Sequence, residues 1–356
     1  MKEKIESIIN KIIENDAAPC VNYAVIHNNN IYKGSLGFQS KYGYDGTNII
    51  DCIEKCQINS LFDLASLTKV VCTNTIIFKL LEQKRISLED KIIKYLKDYK
   101  YDDITIYDLL THTSGLEPDF RSKKIISYNE SIDKIYSAER VIDKGSFLYS
   151  DVGYMLLGLI IEKIYNLPLD IVFQKEVAKP LNMVNTCFNP KEKHNCVPTE
   201  ITKERGVIRG FVHDEKAYSM KGVAGHAGVF STIDDLINFA SMILNNGVFN
   251  NSQYLKKESI DRWYEPLVNK ENYHKSFTWY VGNNPNVIMK NNVISFSGFT
   301  GTSISIDRIN KIAIILLTNR IHPSRDNQKL IDIRAELHDE IYNYFSLKSW
   351  VYILLF

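Results

Sequence analysis

The chain has 356 residues, 45% of them hydrophobic, and a formal net charge of +1 from 43 Lys and Arg against 42 Asp and Glu. That length and apolar content allow one large core or two intimate lobes. The near-neutral, interspersed charge argues against nucleic acid as a partner and against a solvating acidic tail. Six cysteines, at 20, 52, 56, 72, 187 and 196, contain no CxxC pair and read as free thiols in a reducing compartment, with Cys72 a small core hydrophobe.

In chain order, "MKEKIESIINKIIEN" places Ile5, Ile8, Ile9, Ile12 and Ile13 on one helical stripe. Charges interrupt it, so it lacks the apolar stretch of a secretory signal, and the expected location is cytoplasmic. "VNYAVIHNNNIYKGSLGF" reads as two strands around a turn at residues 28–30. "TKVVCTNTIIFKLLEQK", "DVGYMLLGLIIEKIYN" and "DDLINFASMILNNG" read as helices between polar, Gly- and Pro-containing loops. "NVISFSGFTGTSISIDRINKIAIILLTNRI" holds three strand-like runs, and its "IILLTN" has the look of a strand buried on both faces. "KLIDIRAELHDEIYNYF" then puts Leu330, Ile333, Leu337, Ile341 and Phe345 on one helical stripe.

Strands at both ends and helices between them predict an α+β fold. One antiparallel sheet is built from both chain ends and flanked by helices, with a mainly helical lobe inserted and a cleft between. The expected division is a sheet lobe of 1–60 and 285–346, a helical lobe of 61–284, and an apolar tail of 347–356. No run is long enough to span a bilayer. The tail "WVYILLF" is expected to pack on the body or a second copy, with membrane-surface contact the lesser alternative.

The chemistry candidates begin with "LFDLASLTKVVCTNTIIFKLL", residues 61–81. On a helix, positions i and i+3 are neighbours, so Ser66 Oγ and Lys69 Nζ can meet. The helix is apolar nearly all round, and burial lowers a lysine's pKa, which favours a Ser–Lys nucleophile. The spacing alone is weak: Ser131–Lys134 repeats it in charged surroundings expected to be solvated. In "FLYSDVGYMLLG", Ser150 or Asp151 is a natural N-cap, whereas Tyr149 is either a core phenol or a proton relay. In "SFSGFTGTS", Gly298 and Gly301 mark either a strand irregularity or an edge whose N–H groups face a ligand. In "GVAGHAGVFSTIDDL", His226 is read first as a loop histidine satisfied by backbone, as are His213 and His112, and the glycines do not form a phosphate-binding register. Histidine and carboxylate spacings give no metal site, and no cofactor is expected.

Together, "LFDLASLTK", "ISLEDKIIKYL", "ITIYDLLTHTSGL", "FLYSDVGYMLLGLIIEKI", "GVAGHAGVFST" and "GFTGTSISID…IILLTNRIHP" resemble the serine β-lactamase and penicillin-binding-protein superfamily. They run in the family's order and resemble most the branch of class C β-lactamases, D-alanyl-D-alanine carboxypeptidases and β-lactamase-like esterases. The resemblance implies a serine hydrolase acting through an acyl-enzyme on small or short-peptide esters and amides. It implies Ser66 as the nucleophile, Lys69 as its partner base, and Tyr149 as the tyrosine of the family's Tyr-x-Asn motif. It also implies the Ser66 and Phe299 N–H groups as oxyanion hole, with Phe296, Ser297 and Gly298 where the family has Lys-Thr-Gly or His-Thr-Gly.

Two departures stand out. Asp151 replaces the motif's asparagine; it can accept from Lys69 but cannot donate to a substrate carbonyl, and it should hold Lys69 protonated, so activation leans on Tyr149. Phe296 replaces the cation or imidazole that helps bind a substrate carboxylate, a loss of about 1.5–3 kcal/mol for a charged contact. Weak β-lactam turnover is therefore expected, with His226 a candidate for a replacement polar contact. The alternative reading is a feeble relative that binds or senses a ligand.

Overall fold

The computed structural model describes residues 1–120, 125–270 and 273–353. Its centre is an antiparallel sheet of nine strands, in the spatial order 268–270, 273–275, 280–281, 294–297, 303–307, 312–318, 20–27, 30–44 and 49–55. The two chain ends meet where Cys20–His27 pairs with Ile312–Thr318, from Val21 opposite Thr318 to His27 opposite Ile312. The expected hairpin turns at Asn28 and Asn29, with φ of 48° and 68°. Asparagine tolerates that region, which gives a two-residue turn the right twist.

The period-2 alternation assigns the two faces. Val21, Tyr23, Val25, Ile312, Ile314 and Leu316 pack against the stripes of two helices, Lys2–Glu14 and Lys329–Ile353. Cys20, Ala24, Ile26, Ala313, Ile315 and Leu317 belong to the core shared with the helical region. The Ile312–Thr318 strand is buried at every position, as its apolar run predicted.

Three parts of the layout differ from expectation. The outer strand Ile49–Lys55 was not read, because it packs little and shows mostly exposed or half-buried side chains. Three short strands, Val268–Lys270, Tyr273–Lys275 and Tyr280–Val281, lie inside the segment expected to be helical, so the sheet begins near residue 268 rather than 285. They are too short to carry a periodic signal. The last helix runs on through Ile353, so the backbone of most of the expected tail is helical, while residues 354–356 lie outside the described residues. Among the described residues no helix is long and apolar enough to cross a membrane.

The helix Asp151–Tyr165 is buried along most of its length and is capped by Ser150, whose hydroxyl accepts the Gly153 N–H. It crosses the 222–228 loop at two glycines. A Cβ on Gly225 would meet the Tyr154 carbonyl at 2.1 Å, and one on Gly158 would meet the Gly225 nitrogen at 3.0 Å. This crossing brings the loop that carries His226 against the helix that starts at Asp151.

Candidate active site

The chain approaches Ser66 through the short strand Phe62–Asp63, which pairs with Val229–Ser231. Ala65 then adopts a φ of 46°, a conformation that costs a β-carbon residue of order 1–3 kcal/mol unless its surroundings hold it. Asp63 holds it: one carboxylate oxygen accepts the Ala65 N–H at 2.9 Å and the other accepts the His213 N–H at 2.7 Å. The turn leaves Ser66 half-buried just ahead of the helix, whose first part, Lys69–Asn74, is a widened π-turn before Thr75–Glu82. Such widening is frequent at functional sites.

Lys69 is fully buried, with its Nζ 2.7 Å from Asp151 Oδ1. It donates to Ser66 Oγ at 2.9 Å and to the His226 carbonyl at 3.2 Å. The Tyr149 and Tyr154 rings lie 5.0 and 5.7 Å away. Burial pulls the lysine's pKa down, but Asp151 and Tyr149 outweigh it, and the group is pushed up to about 12. Lys69 is therefore an ammonium at neutral pH. The simple burial argument for a neutral lysine fails because a carboxylate from a different helix reaches it.

Tyr149 donates its hydroxyl to Ser66 Oγ at 3.1 Å. Burial raises its phenol pKa, with the Lys69 charge opposing that rise. His112 stacks on the Tyr149 ring at 4.5 Å, and its Nδ1 accepts the Ser150 N–H at 3.1 Å. That bond assigns the neutral ring's proton to Nε2. Burial, with Lys275 and Lys69 nearby, holds the imidazole well below its usual pKa.

The "SFSGFTGTS" segment turns back on the serine. The Thr300 hydroxyl donates to the Asp63 carbonyl at 2.8 Å, and the Thr302 hydroxyl donates to the Leu64 carbonyl at 3.1 Å. Gly298 is required by this contact: a Cβ there would meet Thr302 Oγ1 at 2.3 Å and the Leu64 carbonyl at 2.4 Å. The stitch holds residues 298–302 to the backbone just before Ser66. Among the described residues, neither the Ser66 nor the Phe299 N–H has a hydrogen-bond acceptor, which leaves both free for a ligand oxygen. Ser297 is half-buried beside the turn, and Phe299 is 46% exposed, stacked on His213 at 5.6 Å.

Phe296 is only 2% exposed and lies in the core. Its ring lies 5.0 Å from the Nζ of Lys275, a fully buried lysine that the sequence did not single out. His226 contributes its carbonyl to Lys69, while its Nε2 faces Asp214 Oδ1 at 2.9 Å. Despite burial, His226 and the Ala217 N–H hold the Asp214 carboxyl well below the usual range. Asp151, Asp214 and His226 thus bring ligand-type atoms within 4.8 Å of one another, a cluster their spacing did not suggest. The Lys69 ammonium already balances Asp151 there. No linear pattern flags Asp214 or Lys275, and His112, read from the sequence as a loop histidine, joins the site by stacking on the Tyr149 ring.

The beta-lactamase family profile matches residues 5–339, and the chain belongs to that family. It is a serine hydrolase of this superfamily. It is 32% identical to an N-acetylmuramyl-L-alanine amidase of Bacillus subtilis (strain 168), across 88% of this chain and 80% of that protein. It is also 32% identical to a protein of Salmonella agona (strain SL483) named as a D-alanyl-D-alanine carboxypeptidase, across 88% and 81%. The fold is shared with EstCE1, a hydrolase with promiscuous acyltransferase activity, at a TM-score of 0.74 and 17% identity over 94% of this chain and 97% of that one. It is shared too with a class C beta lactamase from Rhodobacter sphaeroides, at 0.73 and 15% over 92% and 96%.

Proposed function

We propose that Ser66 is the acylated nucleophile of an amide hydrolase whose substrate is an N-acylated amino acid or short peptide of the cell-wall type. The observation that carries this reading is the position of Ser66 Oγ, between an ammonium at 2.9 Å and a phenol at 3.1 Å. Lys69 stabilises negative charge as it develops on Oγ, and the Ser66 and Phe299 N–H groups receive the carbonyl oxygen of the tetrahedral intermediate. Tyr149 takes the serine proton during attack, and a proton reaches the departing amine through Tyr149 when the intermediate collapses. A water then attacks the ester on Ser66 by the reverse route. The named activities of the two 32%-identical relatives, both amide cleavages, support amides over simple esters.

Because Phe296 offers no cation and Asp151 cannot donate to a substrate amide, β-lactams are poor substrates in this reading. The test compares turnover of muramyl dipeptide, an acyl-D-alanyl-D-alanine peptide, p-nitrophenyl acetate and nitrocefin, with intact mass recorded after each. The expected result is amide turnover above nitrocefin turnover and an adduct that Ser66→Ala abolishes. A Ser66→Ala protein that reacts like the parent overturns the nucleophile assignment. A stable penicillin adduct with no turnover of any substrate favours a ligand-binding role, for which the firmly protonated Lys69 is the motivating observation.

A further inference from the structure

The site holds two fully buried lysines, and among the described residues only Lys69 has a carboxylate partner. Lys69 sits 2.7 Å from Asp151. Lys275, at the end of Tyr273–Lys275, makes one hydrogen bond among the described residues, to the Thr278 carbonyl at 3.0 Å. Otherwise its Nζ faces rings: Tyr280 at 3.5 Å, Phe296 at 5.0 Å, Phe147 at 5.8 Å and Tyr149 at 5.9 Å to the centroids. A buried ammonium without a carboxylate gives up its proton more readily than one with a partner. Burial, with the Lys69 charge beside it, pulls the Lys275 pKa well below its usual value.

Attack by Ser66 releases a proton. Lys69 is already an ammonium donating to Ser66. Tyr149 carries its own phenol proton, and the free nitrogen of His112 is the protonated one, because Nδ1 is taken by Ser150. Asp214 and His226 are joined to each other. Lys275 is the remaining amine, with one hydrogen bond among the described residues, and the Tyr149 ring has Lys69 5.0 Å from its centroid and Lys275 5.9 Å from it.

We propose that Lys275 is the proton acceptor behind Tyr149 during acylation. As Ser66 Oγ bonds to the substrate carbonyl carbon, its proton passes to the Tyr149 oxygen. The Tyr149 proton passes, directly or through one water, to the Lys275 amine, which becomes an ammonium over the Tyr280 face. Collapse of the intermediate returns the proton by the same route to the leaving amine. Lys275 acts through Tyr149 and is a positioning residue. The proposal rests on the Ser66 nucleophile reading, and it gives the buried ring of Phe296 a purpose: it helps keep Lys275 dry.

The test measures the p-nitrophenolate burst, which reports acylation with a leaving group that needs no proton, as a function of pH. Lys275→Met and Lys275→Arg are compared with the parent, with folding checked by circular dichroism. Both variants are expected to lose about 10²-fold or more in burst rate near neutral pH. Both are also expected to lose the pH limb that reports the lysine, because arginine keeps a charge but cannot accept a proton. In protein labelled with 13Cε-lysine, the resonance missing from Lys275→Met should sit at a neutral-amine shift at pH 7. Full recovery in Lys275→Arg, an unchanged burst in Lys275→Met, or an ammonium shift at pH 7 each overturns the proposal. Ser66→Ala tests the nucleophile separately: a burst that survives it sinks that reading, while the lysine titration still decides the state of Lys275.

Discussion

Ser66–Lys69 and Ser131–Lys134 have the same spacing and opposite fates. Ser131 lies inside the helix Tyr128–Tyr136, and its hydroxyl donates to the Ser127 carbonyl four residues back at 3.0 Å. A mid-helix serine commonly spends its hydroxyl this way. Ser66 lies before its helix begins, on a strained turn, so its oxygen points to groups from other segments. Lys69 finds Asp151 across the fold, whereas Lys134 stays half-buried on its own helix. The contrast teaches that the reactive feature is the position of the serine relative to the helix start, together with what the rest of the chain brings to it. One expectation needs adjusting, since Ser131 itself is buried and not solvated.

The contrast can be broken most sharply at the two serines. Ser66→Ala is expected to lower kcat/KM by about 10⁴-fold or more, whereas Ser131→Ala leaves it within about twofold and changes stability by no more than about 1 kcal/mol. Steady-state assays and urea titration of both variants check this. Tyr149→Phe should cost about 10²–10⁴ in kcat, the range of a lost proton-transfer group. If kcat is unchanged, Tyr149 is only a packing residue.

Gly298→Ala probes the stitch between the two segments. Because its Cβ would collide with Thr302 Oγ1 and the Leu64 carbonyl, it should displace the Phe299 N–H and lower kcat by about 10–10²-fold, a fraction of the loss of an oxyanion donor. KM should move less than kcat.

The smallest effect concerns the lysine pair. The Lys69 pKa is about 12 in the fold against 10.5 unperturbed, so its contribution to stability is fully present below about pH 10.5 and is lost as pH rises through about 12. Asp151→Asn should therefore lower stability by on the order of 1–2 kcal/mol at pH 7–9, with the gap to the parent closing by pH 12. Lys134→Met should show no such pH-dependent gap. Denaturant titrations across that pH range decide it, and a gap that persists unchanged at pH 12 counts against the ion-pair account.

Much of the scaffold was legible because long elements carry periodic patterns. The isoleucine stripe of the first helix, the Asn-Asn hairpin and the doubly buried Ile312–Thr318 strand each state their environment locally. The short strands between 268 and 281 did not, since two or three residues hold no period. In the site, Ser66, Lys69, Tyr149 and Asp151 were legible as motifs, and the expectation that Asp151 keeps Lys69 protonated agrees with their 2.7 Å separation.

By itself, then, the sequence determined the sheet-and-helix layout, the family resemblance and the nucleophile candidate, because those depend on neighbours along the chain. Only the tertiary structure decided which buried groups from separate segments meet. Asp151 reaches Lys69 from another helix, His226 meets Asp214 from a separate loop, and Lys275 lies among rings contributed by three separate segments. Proton affinities depend on distance and burial, which are properties of the folded chain and not of its spacing.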